Sequence, residues 1–160
     1  MTNSIKTLFT LLLSASLALG LTYSNSAKAA QPKGPGVQVV IKGSVNQALD
    51  NLKKNVASSG MMVMGELHQG KVLEMTGIKV QSESVFIGNP NVGKKLFSLE
   101  AGAGLAVPVR LNIYKDEKGQ TIISYVPLSD QLKAFNNPKI NKIAAMLDSK
   151  LQKLTKMLAR

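Results

Sequence analysis

The sequence predicts an α+β domain: a small mixed β-sheet packed with helices, in the order β-α-β-β-α-β-β-α. Three observations carry this. Short β-branched runs alternate along the chain with stretches of helical period. A turn signal, Asp116-Glu117-Lys118-Gly119, joins two of the runs as a hairpin. A long amphipathic helix runs from Lys139 to the end.

The first element is an address. Residues 1–29 read as a secretory signal peptide: Lys6 supplies the n-region charge, and an apolar core runs from Leu8 to Leu21. Ala27-Lys28-Ala29 gives the small-x-small pattern, which places the cut after Ala29. The apolar core is too short to span a bilayer. The expected location is therefore outside the inner membrane, in a bacterial periplasm. Residues 30–36 (AQPKGPG) form a linker, and residues 37–160 form one domain.

Val37–Lys42 reads as a strand. Ser44 with Gln47 three residues on is a capping box that opens a helix. Val45, Ala48, Leu49, Leu52 and Val56 share one face of that helix, and Ser59-Gly60 ends it. Met61–Leu67 is a second strand, with Met62, Met64 and Glu66 on one face. Gln69–Met75 is one or two helical turns stopped by Gly77. Glu83–Gly88 is a third strand, Asn89-Pro90 a turn, and Asn91–Leu99 a helix. Ala101–Ala106 reads as a flexible connection. Val107–Lys115 and Gln120–Val126 are the hairpin strands. With a loop of four residues, 116–119, Arg110 would sit across from Tyr125. A short helix at Ser129–Phe135 precedes the breaker Asn136-Asn137-Pro138.

Composition excludes several functions. The chain has 160 residues, 20 Lys plus Arg, 9 Asp plus Glu, one His and no Cys. Without Cys there is no disulfide, thiolate zinc site or cysteine nucleophile. Removing residues 1–29 takes away Lys6 and Lys28 and no acid, which leaves 18 basic and 9 acidic side chains in 131 residues, net +9. Residues 131–160 hold 7 of those basic side chains and 1 acid. Few aromatics interleave with this charge, so a nucleic-acid platform is not expected.

Gly88-Asn89-Pro90-Asn91-Val92-Gly93-Lys94-Lys95 nearly matches a phosphate loop. Lys95 stands where the magnesium-binding hydroxyl belongs, so nucleotide hydrolysis is rejected. What that corner leaves open is an anion on the helix start with Lys94 and Lys95. Gly102-Ala103-Gly104 follows a helix and lacks a third glycine, so it is no dinucleotide fingerprint.

His68 is the lone imidazole and ends a strand beside Glu66. With a methionine it could ligate haem iron or copper. No nucleophile elbow accompanies it, and the sequence requires no cofactor. The last helix aligns Ile140, Ile143, Ala144, Leu147, Leu151, Leu154 and Leu158 within about 100° of one another. Lys142, Lys153, Lys156 and Arg160 cluster opposite. Such a helix either packs its stripe on the sheet or lies on an anionic membrane surface. The stripe has no Trp or Phe, which favours packing.

Several of these segments, taken together, resemble the domain of unknown function 302 family. They are Val85-Phe86-Ile87-Gly88-Asn89-Pro90 with Gly93, Leu105 through Tyr114, and Ile123-Ser124-Tyr125-Val126-Pro127. The Gly60 corner and the strand to His68 fit as well. The resemblance implies a compact α+β domain that pairs as a homodimer with exchanged segments, and no established reaction. The resemblance also implies, for many relatives, Asp beside the His and Asp before the Leu-Pro segment. Here Leu67 and Ala106 stand at those places.

The expected function is that of an exported, non-catalytic binding or accessory protein. Its small ligand or periplasmic partner would meet Glu66, His68, Gly88, Asn89, Pro90, Arg110 and Tyr125.

Overall fold

The computed structural model describes residues 36–159. The signal peptide, the linker before Gly36, and Arg160 lie outside the described residues.

The order is β1 (Val37–Ile41), α1 (Val45–Asn55), β2 (Met62–Leu67), α2 (Gln69–Glu74), β3 (Ser82–Gly88), α3 (Pro90–Leu99), β4 (Val109–Lys115), β5 (Thr121–Tyr125), α4 (Leu128–Leu132) and α5 (Pro138–Leu158). This is the expected succession of elements. The strands form one five-stranded sheet in the order β1-β5-β4-β3-β2.

Local chemistry fixes the helix ends. The capping box forms as expected: Ser44 Oγ accepts from Gln47 N at 3.2 Å, and Gln47 Oε1 accepts from Ser44 N at 2.8 Å. Val45, Ala48, Leu49 and Leu52 bury the apolar face of α1. Gly60 takes the left-handed conformation (φ 67°) that turns the chain into β2. Asn137 caps α5, and Pro138 occupies its first turn. The α5 stripe goes inward: Ile140, Ala144, Leu147, Leu151 and Leu154 are all core residues. It meets the sheet residues Val85, Ile87, Leu111, Ile113 and Ile123 in one cluster.

Four expectations need correction. First, the sheet is not mixed, because all four strand pairings are antiparallel. The α1 crossover does make β1 and β2 run the same way, but β5, β4 and β3 lie between them. Helix-linked strands at opposite edges never pair. Second, the hairpin loop holds five residues, 116–120, because Lys115 pairs with Thr121. Asp116 Oδ1 accepts from both Lys118 N (3.0 Å) and Gln120 N (2.7 Å), and Gly119 takes φ 72°. The extra residue moves the register by one. Asn112 faces Ser124, and Tyr125 turns to the helix-covered side, away from Arg110.

Third, Ala101–Leu105 is a 3₁₀ helix and not a loose connection. Ala103 and Ala106 are buried, and a Cβ on Gly104 would meet the Phe97 ring at 2.7 Å. Small residues here serve close packing. Fourth, a bulge at Met64 breaks the alternation of β2. Met62 lies level with Gly88 and Glu66 level with Val85, so the two point to opposite faces.

α4 is short and has no cap of its own. Asp148 of α5 supplies one: its two carboxylate oxygens accept from Leu128 N at 2.7 Å and Ser129 N at 3.1 Å. Replacing Asp148 by Ala strands both donors. Asp148→Ala is expected to lower the unfolding free energy by about 1–3 kcal/mol in urea denaturation. An unchanged midpoint would show that α4 does not depend on this cap.

Candidate functional site

The helices cover one face of the sheet, and the other stays largely bare. The period of two decides which residue sees which. On the bare face stand Gln38, Ser124, Asn112, Tyr114, Arg110, Ser82 and Ser84. The first five of these, with Phe86, Pro108 and Leu105, wall a groove of about 610 Å³, within the size range of ligand pockets.

A buried hydroxyl holds the groove's one charged side chain. Ser84 is fully buried, although its strand face is the bare one. Gln69, the first residue of α2, reaches over β3 to cover it. Ser84 Oγ donates to Gln69 Oε1 at 2.9 Å and accepts from Arg110 Nε at 3.0 Å. Ser82 Oγ lies 3.1 Å from Gln69 Oε1 and 3.1 Å from Asn112 Oδ1. One hydroxyl proton cannot serve two acceptors. Turning the Asn112 amide so that Nδ2 donates to Ser82 satisfies the whole chain. Asn112 Oδ1 then faces the groove.

This network holds the Arg110 guanidinium by Nε and leaves its two terminal nitrogens free of it. The ion pairs among the described residues are Lys53–Glu66 and His68–Glu83, and Arg110 is in neither. No carboxylate and no imidazole lines the groove. Tyr114 Oη approaches Gln38 Oε1 at 3.4 Å. Partial burial, and then the Asp116 charge, raise its phenol above the ordinary value of 10.0. At the rim, Leu105 is 96% exposed.

The seven residues expected to form one site fall in three places. Arg110 anchors the groove. Gly88, Asn89 and Pro90 form the corner at the start of α3. There Asn89 Oδ1 accepts from Asn91 N and Val92 N at 2.9 and 3.1 Å, while Nδ2 donates to Gly60 O at 2.7 Å. The corner thus ties two turns together, and its side chain occupies the donors that an anion would need. Glu66 and His68 lie at the β2 edge. The bulge re-aims Glu66 onto Lys53 Nζ at 2.7 Å. His68 Nδ1 meets Glu83 Oε2 at 2.7 Å, so Nδ1 carries the proton and Nε2 is the free nitrogen.

Tyr125 borders the groove beside Arg110, but its side chain goes under the helices. It is 4% exposed, and Oη makes no hydrogen bond. Burial raises its pKa above the ordinary 10.0, the Thr155 hydroxyl beside it works the other way, and Asp148 adds to the rise. Thr155 nonetheless gives its own proton to Leu151 O at 2.9 Å. On α5, Lys142, Lys153 and Lys156 are exposed while the apolar stripe is buried, so that stripe is not free to lie on a membrane. No described helix is long and apolar enough to cross one.

Sequence reading missed Ser82, Ser84 and Gln69. A row of serines at i and i+2 in a strand was the available signal, and nothing in the sequence placed Gln69 over it.

The fold and groove define a class: a one-sheet α+β domain with helices on one face and a polar groove on the other. The chain belongs to the family described as domain of unknown function DUF302, whose model it matches over residues 37–158. It is similar in fold to the crystal structure of an uncharacterized conserved protein DUF302 from Bacillus stearothermophilus. The TM-score is 0.72 at 18% sequence identity, over 76% of this chain and 96% of that one. No curated protein matches the chain. The resemblance read from the Gly-Asn-Pro corner and the hairpin strands is thereby confirmed.

Tyr125 also sets an alkaline limit. A phenol with a raised folded pKa keeps its stabilising proton below about pH 10, and stability falls as pH rises through the folded value. Tyr114 acts in the same direction. Tyr125→Phe is expected to fold as well as the parent at neutral pH and to lose less stability between about pH 9 and about pH 11. Urea midpoints across that range test it. Equal alkaline losses in both proteins would refute it.

Proposed function

We propose that this is an exported accessory protein that binds a small anionic molecule on the bare face of its sheet. The observation that carries the reading is Arg110. It is a fixed positive charge, held by the buried Ser84 through Nε, in a groove without a single acid. The free guanidinium edge matches a carboxylate or phosphate in two parallel bonds. Asn112, Ser124 and Gln38 offer neutral polar contacts for the rest of the ligand.

A non-catalytic role fits the same lining. A general base near neutral pH is missing from the groove, and Tyr114 is shifted the wrong way for one. Export is supported by residues 1–29, with their charged start, apolar core and Ala-Lys-Ala end.

Pairing with a second copy is proposed for a different surface. α2 buries no residue, and Leu67, Val72, Met75, Ile78 and Val80 are all exposed around it. A patch of that kind marks an interaction surface. Haem or copper binding through His68 finds less support: its Nε2 is free, but no group of three His, Cys, Asp or Glu gathers among the described residues.

Calorimetric titration of the mature protein with succinate, benzoate and inorganic phosphate tests the anion reading. At least one is expected to bind, and Arg110→Ala to weaken it by about 10- to 100-fold, the worth of a charge-assisted pair. Arg110→Lys is expected to lose most of that affinity too, since an ammonium lacks the fork. Binding that ignores both substitutions would rule out this groove.

A further inference from the structure

Gly93 sits inside α3, where glycine is the poorest residue after proline. Glycine is ordinarily kept in a helix for a left-handed backbone or for a close approach. Neither applies here. Gly93 is not among the residues with positive φ, and a Cβ built on it meets no heavy atom within 4 Å. The space in front of it belongs to an apolar cavity of about 210 Å³ on the helix side of the sheet, open to solvent on the side where Met64 and Phe97 are half exposed. Met61, Met64, Ile87, Val92, Pro108 and Leu147 wall it. Phe97, 51% exposed, stands at its edge, seated against Gly104. The β2 bulge places Met64 among these residues.

Polar groups are nearly absent from the wall. Asn89 is the exception, and its side chain is already bonded to Gly60, Asn91 and Val92. Water that enters finds almost no polar partner on the wall, so displacing it by an apolar molecule is favourable. A single methyl or isobutyl group on Gly93 would fill this cavity while improving the helix. The void is therefore kept open by the choice of residue. A dry apolar cavity of about 150 Å³ is known to hold benzene. On that scale the cavity beside Gly93 accommodates a six-membered ring with one or two further carbons.

We infer that this cavity is a second binding site, for a small uncharged apolar molecule of the alkylbenzene type, and that Gly93 keeps it open. The site and the Arg110 groove share Pro108 in their walls, but Arg110 lines only the groove and Gly93 only the cavity.

The test uses the mature protein with ¹³C-labelled methionine methyl groups and toluene as the probe. Toluene is expected to shift the Met61 and Met64 methyl resonances saturably and to raise the melting temperature. Gly93→Leu fills the cavity from within. It is expected to melt at or above the parent temperature without toluene, and to lose the toluene response by at least tenfold. Gly93→Ala, a gentler filling, keeps the fold secure and is expected to weaken toluene severalfold. Anion binding at Arg110 should be the same in all three proteins, so failure of one site is distinguishable from failure of the other. The inference is overturned if Met61 and Met64 do not respond to saturating toluene, or if Gly93→Leu responds as the parent does. It is also overturned if those methyl groups shift with protein concentration alone, because the occupant is then a side chain of a second copy.

Discussion

A sheet with helices on one side only sorts every residue of its strands by parity. Along β4, Val109, Leu111 and Ile113 go under the helices, while Arg110, Asn112 and Tyr114 face out. The neighbouring strands keep step, so Val85, Leu111 and their companions form one apolar layer. α1 and α5 seal that layer with their own stripes. Each buried Leu or Ile there contributes about 1.5–3 kcal/mol relative to exposure, so one strand out of register would cost more than the domain can lose. Packing fixes the parity, and parity then fixes what the bare face displays.

The bare face is where the chain departs from plain solvation. A fully buried serine in the middle of it would be costly without partners. Gln69 and Arg110 supply them, and Asn112 and Ser82 extend the chain of bonds. The consequence is a guanidinium with a fixed direction. A freely solvated arginine would lose side-chain entropy on meeting a ligand, and this one has already lost part of it.

Local signals were legible in the sequence and distant ones were not. The Ser44–Gln47 box, the stops at Gly60 and Gly77, and the α5 stripe each depend on residues within one or two turns, and each lies where the pattern put it. Strand order depends on how three later strands insert between β1 and β2, which no local pattern records. The hairpin shows how little is needed to go wrong. One extra loop residue sends Tyr125 to the core, and one bulge at Met64 separates Glu66 from Met62. Of the candidate site, Arg110 was readable from its strand parity. Its partners were not, because Gln69 reaches Ser84 across 15 positions and Arg110 across 26. The Gly-Asn-Pro corner ties α3 to the Gly60 turn, and the same three residues line the cavity beside Gly93.

Family membership now covers residues 37–158 and brings a fold without a reaction. The central claim is that the bare face around Arg110 is where this protein binds. Native mass spectrometry of the mature protein, purified from its own host beside an Arg110→Ala variant, tests it most directly. The account requires an extra mass on the parent that is lost on denaturation and absent from the variant. A bare protein mass in both, or an extra mass that the variant keeps, would contradict it.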